Sequence, residues 1–141
     1  MTTIQGTPVT LDRIDHLVIT VRDIETTCRF YREVLGMRVE IYGDNRRALH
    51  FGHQKINLHP WPSPIDPKAA TPEPGAADIC FVAATPLDEV VAHLKACGIA
   101  IEVGPRKTVG ARGAMRSVYF RDPDDNLIEV SNYLAEAAAS D

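Results

Sequence analysis

Two stretches of the chain, residues 15–40 and 78–102, carry the same order of structural signals. Each begins with a strand-like run, continues into a helical pattern that ends at a glycine, Gly36 or Gly98, and then returns to a strand. Two copies indicate paired modules rather than a solenoid, which needs at least three repeats. Modules of this size cannot bury their apolar faces alone, so the two must pack together, and a ligand site is expected between them.

The composition narrows the class of protein. At 141 residues and 45% hydrophobic residues, the chain has enough material for one domain. Its formal net charge of -4 argues against nucleic acid or an anionic membrane surface as a partner. The apolar runs are too short to cross a bilayer and the N-terminus lacks a signal pattern, so we expect a cytoplasmic protein that binds a small molecule. The three cysteines form no CxxC pair and are expected to pack as small hydrophobic residues.

Turn and cap signals predict an α+β domain at residues 12–133, built from two tandem βαβββ modules whose curled mixed sheets enclose a cavity. Module one covers residues 12–59, with a helix capped by Asp23. A connector at residues 60–75 carries six prolines, which favour extended backbone. Module two covers residues 76–133. Its helix is expected to be capped by Thr85 and its second strand to cover residues 99–103. The glycine-containing basic stretch 104–113 is expected to form a loop, whose part at residues 108–113 could act as a lid but is by default a flexible surface loop. Residues 134–141 are expected to fray.

Alternation along the strands directs a few polar side chains toward the cavity. On the first strand Leu17, Ile19 and Val21 form an apolar set, so His16 faces the other way. The same argument places His59 on the fourth strand and Glu129 on the last strand in positions that face the cavity. Two imidazoles and one carboxylate suit a divalent transition metal with open positions for substrate. Each residue taken alone is more often structural, so the set depends on the repeat bringing the strands together.

Weaker candidates surround this set. The side chains of Arg46, Arg112 and Arg116 could hold a substrate carboxylate or phosphate through paired hydrogen bonds, although surface arginines are common. Trp61 follows His59 closely and could form a wall of the site or merely cover the connector.

Three motifs, at residues 14–17, 30–37 and 120–129, give the chain a resemblance to the vicinal-oxygen-chelate superfamily. This superfamily includes glyoxalase I, extradiol dioxygenases, fosfomycin-resistance enzymes and bleomycin-resistance proteins. Residues 55–59 and 129–133 most resemble small glyoxalase-domain proteins labelled as virulence proteins or as related to biphenyl-diol dioxygenase III. The resemblance spans about residues 12–133 and implies the paired-module fold.

The resemblance also implies metal ligands on the first and fourth strands of each module. Carried over by position, these are His16, His59 and Glu129, with Ile79 at the remaining place. If His59 instead lies in the second sphere with Tyr119, as in extradiol enzymes, only His16 and Glu129 remain as ligands. In either case Glu129, His59 and Tyr119 are the expected catalytic residues.

The expected function follows from this resemblance. One divalent ion per chain, Zn, Ni, Mn or Fe, is expected, and the chain is expected to form a homodimer. The reaction is either that of a lyase or isomerase like glyoxalase I or that of a ring-cleaving dioxygenase. The alternative is a metal-free protein that sequesters a small molecule, as bleomycin-resistance proteins do. The sequence leaves open whether each barrel closes within one chain or between two.

Overall fold

Each module forms a four-stranded mixed sheet with one helix in a computed structural model that describes residues 2–4 and 6–134. Module one contains β1 (His16–Val21), α1 (Ile24–Leu35), β2 (Arg38–Tyr42), β3 (Arg46–Phe51) and β4 (Gln54–Pro60). Module two contains β5 (Asp78–Val82), α2 (Leu87–Ala96), β6 (Val103–Gly110), β7 (Gly113–Arg121) and β8 (Leu127–Tyr133). The sheet orders are β1-β4-β3-β2 and β5-β8-β7-β6. The predicted α+β fold of two βαβββ modules is confirmed, although the sheets do not close into a barrel.

The two helices begin in different ways. Asp23 caps α1 as predicted, because its carboxylate accepts a hydrogen bond from the Thr26 N–H at 2.8 Å. Helix α2 begins after Pro86, so the predicted cap at Thr85 is wrong. The side chain of Asn132 on β8 instead accepts a hydrogen bond from the Leu87 N–H at 2.6 Å. A residue of β8, distant in the sequence, therefore caps the N-terminus of α2.

The stretch 104–113 is mostly a strand rather than the predicted loop. Residues Val103–Gly110 form β6, which pairs with β7, and only a short turn separates the two strands. Gly104 has φ +95, and a side chain there would collide with the Ser117 carbonyl oxygen. Because β6 contains charged residues, its sequence does not show the alternation of apolar residues that predicts a strand. Such residues are typical of an edge strand, because they discourage pairing with another chain.

The two modules share one hydrophobic core and are joined by buried polar contacts. The Tyr31 hydroxyl on α1 donates to Asp122 Oδ2 in the β7–β8 turn at 2.6 Å. Asp122 Oδ1 also accepts the backbone N–H groups of Asp124 and Asn126, each at 2.9 Å. The motifs that carried the family resemblance therefore connect the modules. The shared core includes Val21, Tyr31, Leu49, Phe120 and Ile128.

The cysteines only partly match the expectation of buried packing. All three are free, and Cys28 is buried, whereas Cys80 and Cys97 are exposed. The expected fraying of residues 134–141 falls outside the described residues except for Leu134, which follows β8.

Candidate functional site

One face of each sheet points away from the shared core, and we call it the site face. On β1 it carries His16, Val18 and Thr20, which alternate with the core-facing residues. The register sets these residues beside Lys55, Asn57 and His59 on β4, in that order. Residues paired in this way form rows across the sheet, and partners on β3 and then on β2 extend each row. Each row therefore runs across all four strands of module one.

Comparing the strand pairing of the two modules shows which residues of module two occupy the same positions as those of module one. His16 lies opposite Lys55, and Asp78 lies opposite Leu127. The burial pattern of β4 matches that of β8 when Asn57 is superimposed on Glu129, and this match also superimposes His16 on Asp78. The alignment of Ile79 with His16 is therefore wrong by one residue, because Ile79 packs against the core. The true equivalent of His16 is a carboxylate.

The predicted metal ligands lie in separate surroundings within one chain. Thr20 is the partner of His59, so His16 and His59 are four positions apart along the strands, or about 13 Å at ~3.3 Å per residue. His16 and Cys80 line a groove of about 540 Å³. His59 lines a separate cavity of about 230 Å³ beneath the connector. In the part of the chain that the structure describes, no three His, Cys, Asp or Glu side chains gather at one point.

Glu129 lies within a polar network on the site face of module two. Its Oε2 accepts a hydrogen bond from the Ser131 hydroxyl at 3.2 Å, and Tyr119 is its direct partner on β7. The Ser131 oxygen lies 2.6 Å from the Ser117 oxygen and 3.3 Å from the Cys80 sulfur. Although Cys80 is exposed as a residue, partial desolvation of its sulfur by the neighbouring side chains is the main reason that the pKa of this thiol lies above its usual value, and the nearby Glu129 charge adds to this rise.

The corresponding part of module one is basic. Because Arg47 lies opposite Leu58, Arg46 lies next to His59. Burial lowers the pKa of His59, and the charge of Arg46 lowers it further. The Arg46 Nε and Asn57 Oδ1 atoms are buried and make no hydrogen bond within the described residues. Orphaned buried polar atoms are costly, so these two are candidates for contact with a ligand. The guanidinium of Arg46 lies 5.4 Å from the ring centre of Tyr42.

The remaining residues that were predicted to bind substrate lie away from the centres of the two site faces. Trp61 is half exposed at the start of the connector, and its backbone N–H donates to the Val21 carbonyl at 2.9 Å. Arg112 lies in the β6–β7 turn, with its guanidinium 5.0 Å from the Tyr133 ring centre. Arg116 lies on the opposite face, where its guanidinium contacts Asp88 of α2 at 3.2 Å. Its position does not support the predicted contact with substrate.

Sequence reasoning missed Asp78, Cys80, Ser117 and Ser131. A consistent use of strand alternation could have found them, because Ser131 follows Glu129 by two residues and Ser117 precedes Tyr119 by two. Small polar residues between apolar ones were instead treated as neutral.

Residues 13–130 match the family model of the Glyoxalase/Bleomycin resistance protein/Dioxygenase superfamily. The chain belongs to this superfamily. It is 53% identical over 124 residues to virulence protein STM3117 of Salmonella typhimurium, which covers 88% of this chain and 86% of that protein. It is also 48% identical over 120 residues to the glyoxalase domain-containing protein RDO1 of Mycosarcoma maydis, with 85% and 68% of the two chains covered.

Solved structures agree with the fold of this glyoxalase-superfamily chain. The crystal structure of virulence protein STM3117 superimposes with a TM-score of 0.87 at 52% identity, covering 89% of this chain and all of that one. A lactoylglutathione lyase from Agrobacterium tumefaciens gives a TM-score of 0.68 at 25% identity, with 87% and 95% of the chains covered. The superfamily includes enzymes, and its members bind small molecules and commonly dimerise. No described helix is both long and apolar enough to span a bilayer.

Members of the glyoxalase superfamily often use a divalent metal, and the donor types on the two site faces suit one, although no three of the described His, Cys, Asp or Glu side chains gather within a single chain. The four equivalent positions on β1, β4, β5 and β8 hold His16, Asn57, Asp78 and Glu129. Each supplies a nitrogen or oxygen donor, and the Asn57 oxygen is buried without a partner. Imidazole and oxygen donors suit divalent ions from Mn to Zn.

Proposed function

We propose that this chain is a metal-dependent enzyme that acts on a small molecule with neighbouring oxygen atoms, in the manner of a glyoxalase-like lyase or isomerase. The observation that carries the proposal is the symmetry of the donors. His16 and Asp78 occupy one pair of equivalent positions, and Asn57 and Glu129 occupy the other. Packing alone does not require polar residues at all four places.

His16, Asp78 and Glu129 would hold one divalent ion, Zn, Ni, Mn or Fe, and Asn57 would add a neutral oxygen. When bound, such an ion supplies Lewis acidity toward the neighbouring oxygens of the substrate. This assignment moves His59 from the ligand set to the substrate pocket, because His59 lies four positions from His16.

Glu129 would move the proton. The Ser131 hydroxyl occupies its Oε2, which leaves Oε1 available to accept a proton from a substrate carbon. Tyr119 lies beside Glu129 on β7 and would bind or orient the reacting group. A positioned carboxylate of this kind is what an isomerisation through proton transfer requires.

The module-one site face would bind the substrate. Arg46 and His59 lie side by side there, and the unpaired Arg46 Nε is suited to an anionic oxygen. Trp61 and Arg112 would form the rim. The substrate would therefore carry a negative group at a distance from its reacting oxygens.

A homodimer would complete the site. The two sheets are not closed, and Val18 and Val82 on the site faces are 45% and 58% exposed. A second copy would cover these apolar side chains and bring the module-one face of one chain toward the module-two face of the other. Light scattering should therefore give twice the chain mass of 15.5 kDa. A monomer at micromolar concentration would contradict this arrangement.

Metal titration tests the donor set. Protein freed of metal with a chelator should take up one ion of Ni or Zn per chain, measured by elemental analysis and calorimetry. The variants His16→Ala and Asp78→Asn should each lose affinity, since a ligand is removed. The matched controls His53→Ala and Glu89→Gln alter exposed residues of the same chemistry and should bind like the wild type. Controls and site variants that behave alike would overturn the assignment.

Activity assays separate the possible reactions. Protein loaded with Ni should convert a glutathione hemithioacetal to a thioester without oxygen, which is followed by absorbance. Oxygen uptake with catechols that occurs only with Fe(II) would favour the ring-cleaving dioxygenase instead. A protein that binds no ion but retains small ligands would be a sequestering protein.

A further inference from the structure

The site face of module two contains a row of side-chain hydroxyls that runs from β6 to β8. The oxygens of Thr108 and Ser117 are 2.6 Å apart, and those of Ser117 and Ser131 are also 2.6 Å apart. Ser131 then contacts Glu129 Oε2 at 3.2 Å. Ser117 and Ser131 have no exposed surface, so water does not satisfy their hydroxyls. Every hydrogen bond in the row must be supplied by the protein.

The direction of this row follows from the donors available. An ionised carboxylate can only accept, so Ser131 donates its single proton to Glu129. Ser131 must then accept from Ser117, and Ser117 must accept from Thr108. The second lone pair of Ser131 is left for the Cys80 thiol, which lies 3.3 Å away. Thr108, Ser117 and Ser131 therefore act in series on one carboxylate oxygen, and Cys80 lies beside Glu129 as its partner on β5.

Module one provides an internal comparison, because it has the same backbone without this row. The residues equivalent to Ser131 and Ser117 are His59 and Arg46, and the residue equivalent to Glu129 is Asn57. The oxygen of Asn57 has no partner within the described residues. The hydroxyl row thus accompanies the carboxylate and is not a requirement of the fold.

We propose that Thr108, Ser117 and Ser131 are positioning residues that hold Glu129 in one orientation, with Oε2 occupied and Oε1 presented to the ion and the substrate. This inference rests on the proposed function for the role of Oε1 but not for the orientation itself. In a chain of hydrogen bonds, each bond strengthens the next one. Residues that hydrogen-bond to a metal ligand commonly affect the affinity for the metal.

Metal affinity measures the effect of each hydroxyl. With Ni as the probe, Ser131→Ala should weaken binding about 10- to 100-fold, as the loss of an outer partner commonly does. Ser117→Ala and the isosteric Thr108→Val should weaken it less, in that order, because they act through Ser131. Thr27→Val is the matched control, since it removes a buried hydroxyl on α1 that has no partner among the described residues. It should leave the affinity unchanged.

A double variant tests whether the hydroxyls act in series. Adding Ser117→Ala to Ser131→Ala should cause no further loss of Ni affinity, because the link to Glu129 is already broken. Additive losses would overturn the proposal, and so would a Ser131→Ala protein that binds Ni like the wild type.

Crystal structures of the metal-free proteins provide a test that does not depend on metal. The wild type should show Glu129 in one orientation, and Ser131→Ala should show it rotated or in two conformers. An unchanged Glu129 in Ser131→Ala would overturn the positioning role. If the wild type binds no ion, the proposed enzyme fails, and the crystal structures alone decide the role of the hydroxyl row.

Discussion

The site faces of the two modules share one backbone pattern but differ in their chemistry. Module one has His16, Asn57 and His59 where module two has Asp78, Glu129 and Ser131. The first face is basic or neutral, with two buried polar atoms left unpaired. The second has carboxylates at two of these positions, and the Ser131 hydroxyl donates to that of Glu129.

This difference indicates a division of tasks between the two copies of a duplicated unit. An unpaired arginine nitrogen and a basic surrounding are suited to binding a negative group. A carboxylate held by a hydroxyl row is suited to proton transfer. Under the proposed function, a substrate that needs both would contact both modules.

The largest effect is expected from Glu129→Gln. This change keeps the size of the side chain but removes the ability to accept a proton, so turnover of the metal-loaded protein should fall about 10²- to 10⁴-fold. Steady-state kinetics with the hemithioacetal measures it. Glu89→Gln on the surface of α2 is the control. Undiminished turnover in Glu129→Gln would mean that the chemistry does not lie on module two.

The next largest effect is a loss of stability when the hydrogen bond between Tyr31 of module one and Asp122 of module two is removed. Tyr31→Phe removes the hydroxyl that donates to Asp122, and a buried hydrogen bond to a charged group contributes about 1.5–3 kcal/mol. Burial and the Asp122 charge both raise the pKa of Tyr31, so its hydroxyl stays protonated and can donate. Urea denaturation should show the loss in the free energy of unfolding.

The control for this variant is Tyr42→Phe. The ring of Tyr42 contacts cations through its face, so removal of its hydroxyl should have little effect on stability. Equal stability of Tyr31→Phe and the wild type would show that the Asp122 turn does not depend on module one.

The sequence predicted the modules well, because period-two alternation, caps and glycine stops are local signals. Asp23 and Gly36 mark the ends of α1 correctly, for example. The alignment between modules failed at Ile79, since motif similarity was followed instead of the alternation of core residues. The second strand of module two was predicted at residues 99–103 but lies at Val103–Gly110, because its charged residues show no apolar alternation and its pairing with β7 is not encoded locally.

The candidate site was harder to predict than the fold. Alternation placed Glu129 on the face that points toward the cavity, and in the structure it lies on the site face with Tyr119 as its partner on β7. The distance between His16 and His59 depends on the register of β1 with β4, which the sequence of either strand does not specify. The side of β7 occupied by Arg116 could have been derived by counting from Ser117.

A smaller effect is expected when module one is made to resemble module two. Asn57→Asp places a carboxylate at the position equivalent to Glu129, and an added charged ligand should tighten Ni binding by about tenfold. Calorimetry measures the change. Because module one lacks the hydroxyl row, this gain in Ni affinity should be smaller than the loss of Ni affinity that Glu129→Gln causes in the same measurement. Weaker binding would show that Asn57 does not face the ion.

The smallest effect concerns the pH dependence contributed by His59. Its pKa in the folded protein lies below the ordinary value of 6.5, because burial and Arg46 disfavour its charged form. As the pH falls below this value the unfolded chain binds a proton first, so the folded protein loses stability. The melting temperature should therefore fall between about pH 7 and about pH 5, and it should fall less in His59→Asn. His53→Asn, in the exposed β3–β4 turn, should retain the wild-type slope. If both variants keep that slope, His59 does not contribute to it.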